Sequence, residues 1–440
     1  MKNFLKRTTN KDWQVKKVSW LFDTIASGST PPSNQEEYYQ KDIPWLNTGD
    51  LNDYYLEEPS NYISYKAMRE FSTLKIYPAD SLVIAMYGAT IGKLGITKFN
   101  TTTNQACCVL AQPRGIITKF MFYWLMGHRE EIIRMSQGGG QPNISQGIIK
   151  NIRVAVPTLK EQTIIAKYID GKFNQINKLI EDKGKLIGLL EEKRQSIITE
   201  AVTKGLNPNV KMKDSGIEWI GKIPEHWGVS KIKYTTYVKG RIGWQGLSSD
   251  EFIDQGPYLV TGTDFQDGQI NWESCYHISE ERYNEAPPIQ LKENDLLITK
   301  DGTIGKLAIV KDMPYKSILN SGIFVTRPIN DSYITKYMYW LLSSTVFDKY
   351  IKYMETGSTI KHLYQETFVN FSFALPPIKE QIAITNYLDK EIANYESIKN
   401  DLVIQIKKLQ EYRQSLIYEA VTGKIDVRDM ERELDQDEVR

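Results

Sequence analysis

Apolar positions follow two regimes along this chain. From 169 to 201 they return at alternating steps of four and three residues. Positions 169, 173, 176, 180, 183, 187, 190, 194, 197 and 201 read Ile, Phe, Ile, Ile, Lys, Ile, Leu, Arg, Ile and Ala. Positions 388, 392, 395, 399, 402, 406, 409, 413, 416 and 420 repeat the rhythm as Leu, Ile, Tyr, Lys, Leu, Ile, Leu, Arg, Leu and Ala. This is a heptad seam, the stripe of a helix that packs along another helix. Its apolar members are Ile169, Ile176, Ile180, Ile187, Leu190 and Ile197 in the first run, and Leu388, Ile392, Leu402, Ile406, Leu409 and Leu416 in the second. No proline interrupts either run. A helix of about 40 residues spans roughly 60 Å at 1.5 Å per residue. A stripe of that length needs a partner, and each run is the obvious partner of the other. We expect antiparallel pairing about a pseudo-two-fold axis, as in dimers, with a globular part at each end of the rod. Lys183 and Lys399 interrupt the seam. They either snorkel to solvent or fix the register. Gly171, Gly184 and Gly188 weaken the first helix by up to ~1 kcal/mol each, so it bends there or something packs closely against it.

The other regime consists of short β-rich runs separated by Gly, Asn and Thr. "DSLVIAMYG", "IGKLGITKF" and "ACCVLAQP" are followed by "TKFMFYWLMGHREEIIRMSQGG", which reads as one helix stopping at glycines. Later come "NDLLITKDG", "IGKLAIVK" and "GIFVTRP", followed by "ITKYMYWLLSSTVFDKYIKYMETG". A small curved sheet with a helix at its end is the expected shape of each part.

The two halves are one plan written twice. "RQSIITEAVT" (194–203) returns as "RQSLIYEAVT" (413–422), and "LKEQTIIAKYID" (159–170) as "IKEQIAITNYLD" (378–389). "FYWL" (122–125) matches "MYWL" (338–341), "ATIGKLGI" (89–96) matches "GTIGKLAI" (302–309), and "WLNTGD" (45–50) matches "YLVTGTD" (258–264). The order is kept throughout, so a whole unit is duplicated. The helical part repeats closely. The part before it agrees only at scattered glycines and aromatics. The expected divisions are 1–157 and 227–376 for the globular parts, 158–205 and 377–424 for the helical parts, 206–226 for a Gly/Pro-rich connector, and 425–440 for an acidic tail.

Composition removes several classes of function. With 440 residues, 41% hydrophobic and 25% charged, the chain has the balance of a globular protein of two or three domains. No apolar run approaches the ~18 residues of a membrane span, and "MKNFLKRTTNKDW" has no signal-peptide core, so the cytoplasm is the expected location. Cys107, Cys108 and Cys275 form no CxxC and suggest packed, reduced thiols rather than a zinc site or disulfides. "GATIGKL" lacks the spacing and the Ser/Thr of a phosphate loop and reads as a turn. No catalytic constellation and no metal site is present. Net charge is +1, so binding to nucleic acid would need localised basic faces or basic partners. The last sixteen residues hold seven acids against three arginines, and 160–204 holds nine basic against seven acidic residues.

Two heads, alike in plan and different in surface, on one long helical spacer suit a long target in two parts. Duplex DNA is such a target, with half-sites one turn or about 34 Å apart. Bases would be read by polar groups in head loops, with Lys and Arg on phosphates. In the first head we select Thr48, Asp50, Tyr87, Thr90, Lys93, Gln141, Asn143 and Ser145. In the second we select Thr261, Thr263, Lys300, Thr303, Lys306, Thr359, Lys361 and His362. Matched threonines at 48/261 and 90/303 are better explained as turn chemistry, because residues that set specificity should differ between heads, as Lys300, Lys361 and His362 do against Tyr87, Ile144 and Ser145.

The motifs "GIEWIGKIPEHWGV", "LPPIKEQIAITNYLD" and "RQSLIYEAVTGKID", in this order, resemble the DNA-specificity subunit of a type I restriction-modification system, over essentially the whole chain. The resemblance implies an α+β chain. Two target-recognition domains would stand in pseudo-two-fold arrangement, separated by an antiparallel coiled coil of two long helices. It implies a non-catalytic subunit that binds double-stranded DNA at a bipartite asymmetric site and recruits two methylation subunits and restriction/translocase subunits. No cofactor is expected in this chain, with S-adenosylmethionine, ATP and magnesium held by the partners. The alternative is a protein scaffold or adaptor without DNA binding. The first unit lacks the "GIEWIGKIP" lead-in, and the resemblance implies that the acidic tail lies near the N-terminus and completes it.

Overall fold

The computed structural model describes residues 12–136, 143–241, 247, 249–354 and 362–438. The chain divides into two compact units: residues 1–183 with 403–440, and residues 184–402. The division falls inside both long helices. Each unit therefore holds one globular head, half of the first long helix and half of the second.

In unit 1, the strands are β1 (Gln14–Lys17), β2 (Phe22–Ser27), β3 (Ile43–Leu46), β4 (Tyr54–Leu56), β5 (Asn61–Ile63), β6 (Leu82–Ala85), β7 (Leu94–Thr97), β8 (Thr102–Thr103), β9 (Cys107–Pro113) and β10 (Arg153–Val156). The helices of this head are α1 (Tyr65–Glu70), α2 (Thr118–Gly127), α3 (Arg129–Arg134) and α4 (Gln146–Asn151). A five-stranded sheet has the order β2-β9-β6-β7-β4, and a three-stranded sheet the order β5-β3-β8. β1 and β10 form an antiparallel ribbon that closes the head. β6 is buried along its whole length, as its unbroken Leu-Val-Ile-Ala run requires of a central strand. The long helix α5 (Leu159–Lys204) follows.

Unit 2 repeats the design. Its strands are β11 (Met212–Asp214), β12 (Lys222–Pro224), β13 (Gly228–Lys231), β14 (Thr236–Gly240), β15 (Ile253–Val260), β16 (Phe265–Gln266), β17 (Gln269–Ile270), β18 (Tyr276–His277), β19 (Leu296–Thr299), β20 (Leu307–Ile309), β21 (Ser317–Leu319), β22 (Ile323–Pro328) and β23 (Ser372–Leu375). Its helices are α6 (Ile232–Thr235), α7 (Glu280–Asn284), α8 (Thr335–Leu342), α9 (Thr345–Met354) and α10 (Gln365–Val369). The sheet β14-β22-β19-β20 matches β2-β9-β6-β7, β18-β15-β21 matches β5-β3-β8, and the ribbon β13-β23 matches β1-β10. The second long helix, α11 (Ile378–Val421), and a tail helix, α12 (Val427–Glu438), complete the chain.

The helix read as continuous after β9 is broken. α2 ends at Gly127 and α3 starts at Arg129; α8 ends at Leu342 and α9 starts at Thr345. At both breaks a long helix meets the helix end. In unit 1 the α11 backbone comes so close that a Cβ on Gly127 would lie 3.3 Å from Cα of Tyr418. Gln414 donates to the carbonyl of Met126 at 3.0 Å. In unit 2, Gln195 of α5 donates to the carbonyl of Ser343 at 2.8 Å. The repeated "RQS" therefore supplies, in each unit, a glutamine that satisfies a carbonyl at the helix end.

The repeated "KEQ" supplies a second latch. Gln162 and Gln381 are fully buried. Their oxygens accept from the N–H of Ile117 (2.7 Å) and Ile334 (2.9 Å), at the entrances of α2 and α8. Their amides donate to Pro157 and Pro376, both at 2.9 Å. A third latch is acidic. Asp170 accepts from Lys119 and Tyr123, and Asp389 accepts from Lys336 and Trp340. Burial and the Asp170 carboxylate push the Tyr123 hydroxyl far up from its ordinary pKa.

Within each unit the two long helices run antiparallel. In unit 1, Arg413 donates to Asn177 at 2.7 Å and Lys183 to Gln405 at 2.6 Å. In unit 2, Arg194 meets Glu396 at 3.6 Å and Lys399 meets Glu191 at 3.9 Å. Rising numbers on one helix meet falling numbers on the other. From 174 to 193 the only side chains that are not exposed are the seam positions Ile176, Ile180, Lys183, Ile187 and Leu190. From 397 to 412 they are Lys399, Leu402, Ile406 and Leu409. Ile169, Leu388, Ile392 and Leu416 are buried, and Ile197 is half-buried beside the fully buried Ile198. The helix ends bury more than the stripe because they also pack on a head. Ile198 joins the core of unit 2 and Ile417 that of unit 1. Lys183 and Lys399 are half-buried and place their ammonium groups against polar atoms of the facing helix. A Cβ on Gly171, Gly184 or Gly188 would meet nothing within 4 Å, so no part of the described chain packs closely on them. The tail helix packs into the unit 1 core that also contains Trp13, through the fully buried Met430. Lys160–Glu431 (3.1 Å) and Lys172–Glu433 (2.6 Å) flank it.

Candidate nucleic-acid interface

The sharpest feature shared by the heads is a glycine turn between two central strands. In unit 1 it joins β6 to β7, with Gly88 at φ 80° and Gly92 at φ 77°. In unit 2 it joins β19 to β20, with Gly302 at φ 69° and Gly305 at φ 84°. These left-handed positions favour glycine, which accounts for the repeated "TIGKL" run without any phosphate-binding role. Gly92 donates to the Ala85 carbonyl at 2.9 Å, and Gly305 to that of Thr299 at 3.0 Å. A second segment then crosses the turn. Ile144 donates to the Met86 carbonyl at 2.7 Å, and Leu363 to that of Lys300 at 2.8 Å. Isolated bridges pair Tyr87 with Asn143 and Asp301 with His362. Ile144 and Leu363, both buried, pin the crossing segment from below.

This register corrects the equivalences expected from the letters. Tyr87, Ile144 and Ser145 fall against Lys300, Lys361 and His362 by letter, but the backbone bonds set Met86 against Lys300, Tyr87 against Asp301, Asn143 against His362 and Ile144 against Leu363. The turn in unit 2 is one residue shorter, "GTIG" against "GATIG", so a match anchored on the glycines slides by one. Asp301 was missed for that reason, and the shortened turn was the signal that could have found it. Lys300, where unit 1 buries Met86, lays its ammonium 5.3 Å from the centre of the Phe324 ring.

The other selected residues divide by what their polar atoms already do. Asp50 is occupied by its own turn, accepting from the N–H groups of Asn47 (2.7 Å) and Ser60 (3.3 Å), with Thr48 half-buried beside it. Thr261 is likewise engaged with Asp264 (2.9 Å) and Thr263 (2.7 Å) in a capping box. That turn abuts the base of the glycine turn, since a Cβ on Gly262 would lie 2.9 Å from the Thr299 side chain. Ser145 caps α4 by accepting from Ile148 at 3.3 Å. Thr90 is half-buried and Thr303 exposed within the glycine turns, and Lys93 and Lys306 are exposed at matched positions leaving them. Tyr87 packs its ring against the core of unit 1, whereas Asn143 is exposed. His362 is exposed, and its Nδ1 contacts the Asp301 carboxylate. Gln141, Thr359 and Lys361 lie outside the described residues.

Thus each head brings together, on one backbone frame, an exposed lysine, a polar bridge position and a glycine turn, and the heads differ at the bridge. Among the described residues no His, Cys, Asp or Glu side chains form a group of three or more that could hold a metal ion, and no helix is long and apolar enough to cross a membrane. Burial pushes the Cys108 thiol up to about 12 and the Cys107 and Cys275 thiols higher still.

Comparison with known proteins agrees with this architecture. A model of the type I restriction modification DNA specificity domain matches residues 10–187 and 240–408. The specificity subunit of the type I restriction enzyme MjaVIII from Methanocaldococcus jannaschii is 24% identical over 429 residues, covering 96% of this chain and 94% of the relative. That of EcoBI from Escherichia coli is 21% identical over 360 residues, covering 80% and 74%. In fold, a chain solved in work on assembly and conformational transition of the type I R-M system superposes with a TM-score of 0.72 at 14% identity, covering 94% of this chain and 99% of its own. The HsdS subunit from Thermoanaerobacter tengcongensis superposes with a TM-score of 0.54 at 14% identity, covering 94% and 97%. Two matches to the specificity domain, one over each half of a duplicated chain, show that this chain belongs to the type I restriction-modification DNA specificity family, the sequence-recognition subunits of those systems.

Proposed function

We propose that the chain reads a two-part asymmetric DNA site, one half with each unit, and that the paired helices α5 and α11 set the unread gap between the halves. The observation that carries this reading is the contrast between what repeats and what does not. The latches Gln162/Gln381 and Gln195/Gln414 tie both heads to the helices in the same way. The bridge positions at the glycine turns, Tyr87–Asn143 and Asp301–His362, differ. Like mounting with unlike surfaces suits two different half-sites held at a set distance. The chain supplies no chemistry of its own and carries no cofactor. It presents the DNA to two methylation subunits, which use S-adenosylmethionine on adenine, and to restriction/translocase subunits, which use ATP and magnesium. The complex acts in the cytoplasm.

The test is to co-express the chain with its methylation subunit and map methylated adenines in the host DNA. A split motif with a constant gap is expected. Exchanging residues 20–155 for another head should alter one half of the motif and leave the other half unchanged. A motif unaltered by that exchange would overturn the reading. Absence of any salt-dependent DNA affinity with partners present would favour a protein scaffold instead.

A further inference from the structure

Resting on that reading, the two heads serve as each other's control. They share a frame of strand, glycine turn, crossing segment and buried aliphatic pin, so the backbone carries the same two bridge positions in both. Directly paired residues of an antiparallel bridge stand about 4.5–5.5 Å apart, close enough to act as one polar unit. In unit 1 the outward polar member is Asn143. In unit 2 the pair is Asp301 and His362, bonded to each other, with side-chain exposures of 34% and 57%. We propose that Asp301, held by His362, is a specificity-determining residue of the second half-site, and that Asn143 occupies the matching role for the first.

The chemistry narrows what each can take. A carboxylate on a DNA-facing surface is repelled by phosphate, so it gains only where a base edge donates a hydrogen bond. In the major groove the donors are the exocyclic amino groups of cytosine and adenine. The Nδ1–H of His362 donates to Oδ1 of Asp301, which orients the carboxylate and leaves Oδ2 to accept from such an amino group. Neighbouring Lys306, exposed where the turn ends, is placed for a phosphate. Asn143 carries both an acceptor and donors, which matches the adenine N6/N7 edge. Half-site 2 is therefore expected to contain a C or A whose discrimination depends on Asp301.

The experiment uses the full chain co-expressed with its methylation subunits, with methylated adenines mapped across the host genome. In the parent, a split motif is the starting point; if none is found, the underlying reading fails and this proposal with it. Given that motif, Asp301→Asn should relax or switch one base position of one half-site, changing the preference there by about tenfold or more, with the other half intact. His362→Phe should weaken the same position, and Asn143→Ala should relax a position in the opposite half. The intact half also reports that the variant is folded. If Asp301→Asn fails to fold, Asp301→Ser tests the same point. Unchanged preference at every position, or methylation lowered equally at all sites as for a lost loop staple or phosphate contact, overturns the proposal while leaving the two-part reading in place.

Discussion

Four glutamines give the repeated "KEQ" and "RQS" motifs their structural role. Gln162 and Gln381 each satisfy a helix-entrance N–H and a proline carbonyl inside the protein, where neither group has water to turn to. Replacing Gln381 by Leu keeps the volume and strands both partners, so unit 2 should lose about 1–3 kcal/mol, read as a lower urea midpoint at unchanged slope. An unmoved midpoint would show that the latch is decorative. The thiols make a second residue-scale test. With their pKa values raised to about 12 or beyond by burial, Cys107, Cys108 and Cys275 stay protonated at pH 8, so a thiol reagent should label them only after denaturation. The repeated letters made these glutamines visible, but a letter does not name its bonding partner. Asp301 was hidden by a one-residue difference in turn length, which slides a match anchored on the glycines and which the backbone hydrogen bonds resolve.

At the scale of elements, the heptad seam was legible because a stripe buried against one partner leaves a strict periodicity. The seam positions are the ones withdrawn from solvent in the middle of α5 and α11. The breaks at Gly127–Arg129 and Leu342–Thr345 were not legible, since apolar residues continue on either side and the cause lies in a helix far along the chain. The three glycines of α5 lie in open space, so alanine fits each of them. Gly171→Ala, Gly184→Ala and Gly188→Ala should each stabilise the helix by up to ~1 kcal/mol, seen as a rise in melting temperature. A loss instead would mean that the open space is needed in the assembled complex or that α5 bends there in solution. The tail helix tests the opposite sign. Met430 is fully buried in unit 1, and Met430→Ala should cost about 2–5 kcal/mol there, lowering the urea midpoint of that unit.

For the whole molecule, duplication was legible from order and spacing, and it carried the prediction of two like heads. What differs between the heads is what duplication cannot predict, and it is where we propose that sequence recognition resides. The helices decide the remaining variable. α5 has 46 residues and α11 has 44, and α5 begins in unit 1 and ends in unit 2. If the pair sets the gap, lengthening both helices by one heptad at the same level should lengthen the gap without touching either half-site. Lys183 and Gln405 bond to each other and mark one such level. Seven residues inserted after each add about 10.5 Å of helix and restore the seam phase. At 3.4 Å per base pair this is at most about three extra base pairs. Methylated-motif mapping should then return the same two half-sites with a longer gap. An insertion of two residues at the same points shifts the seam by more than half a turn and should abolish recognition altogether. A heptad variant that keeps the original gap would place the spacing elsewhere in the complex, and the helices would be left with only the task of carrying the heads.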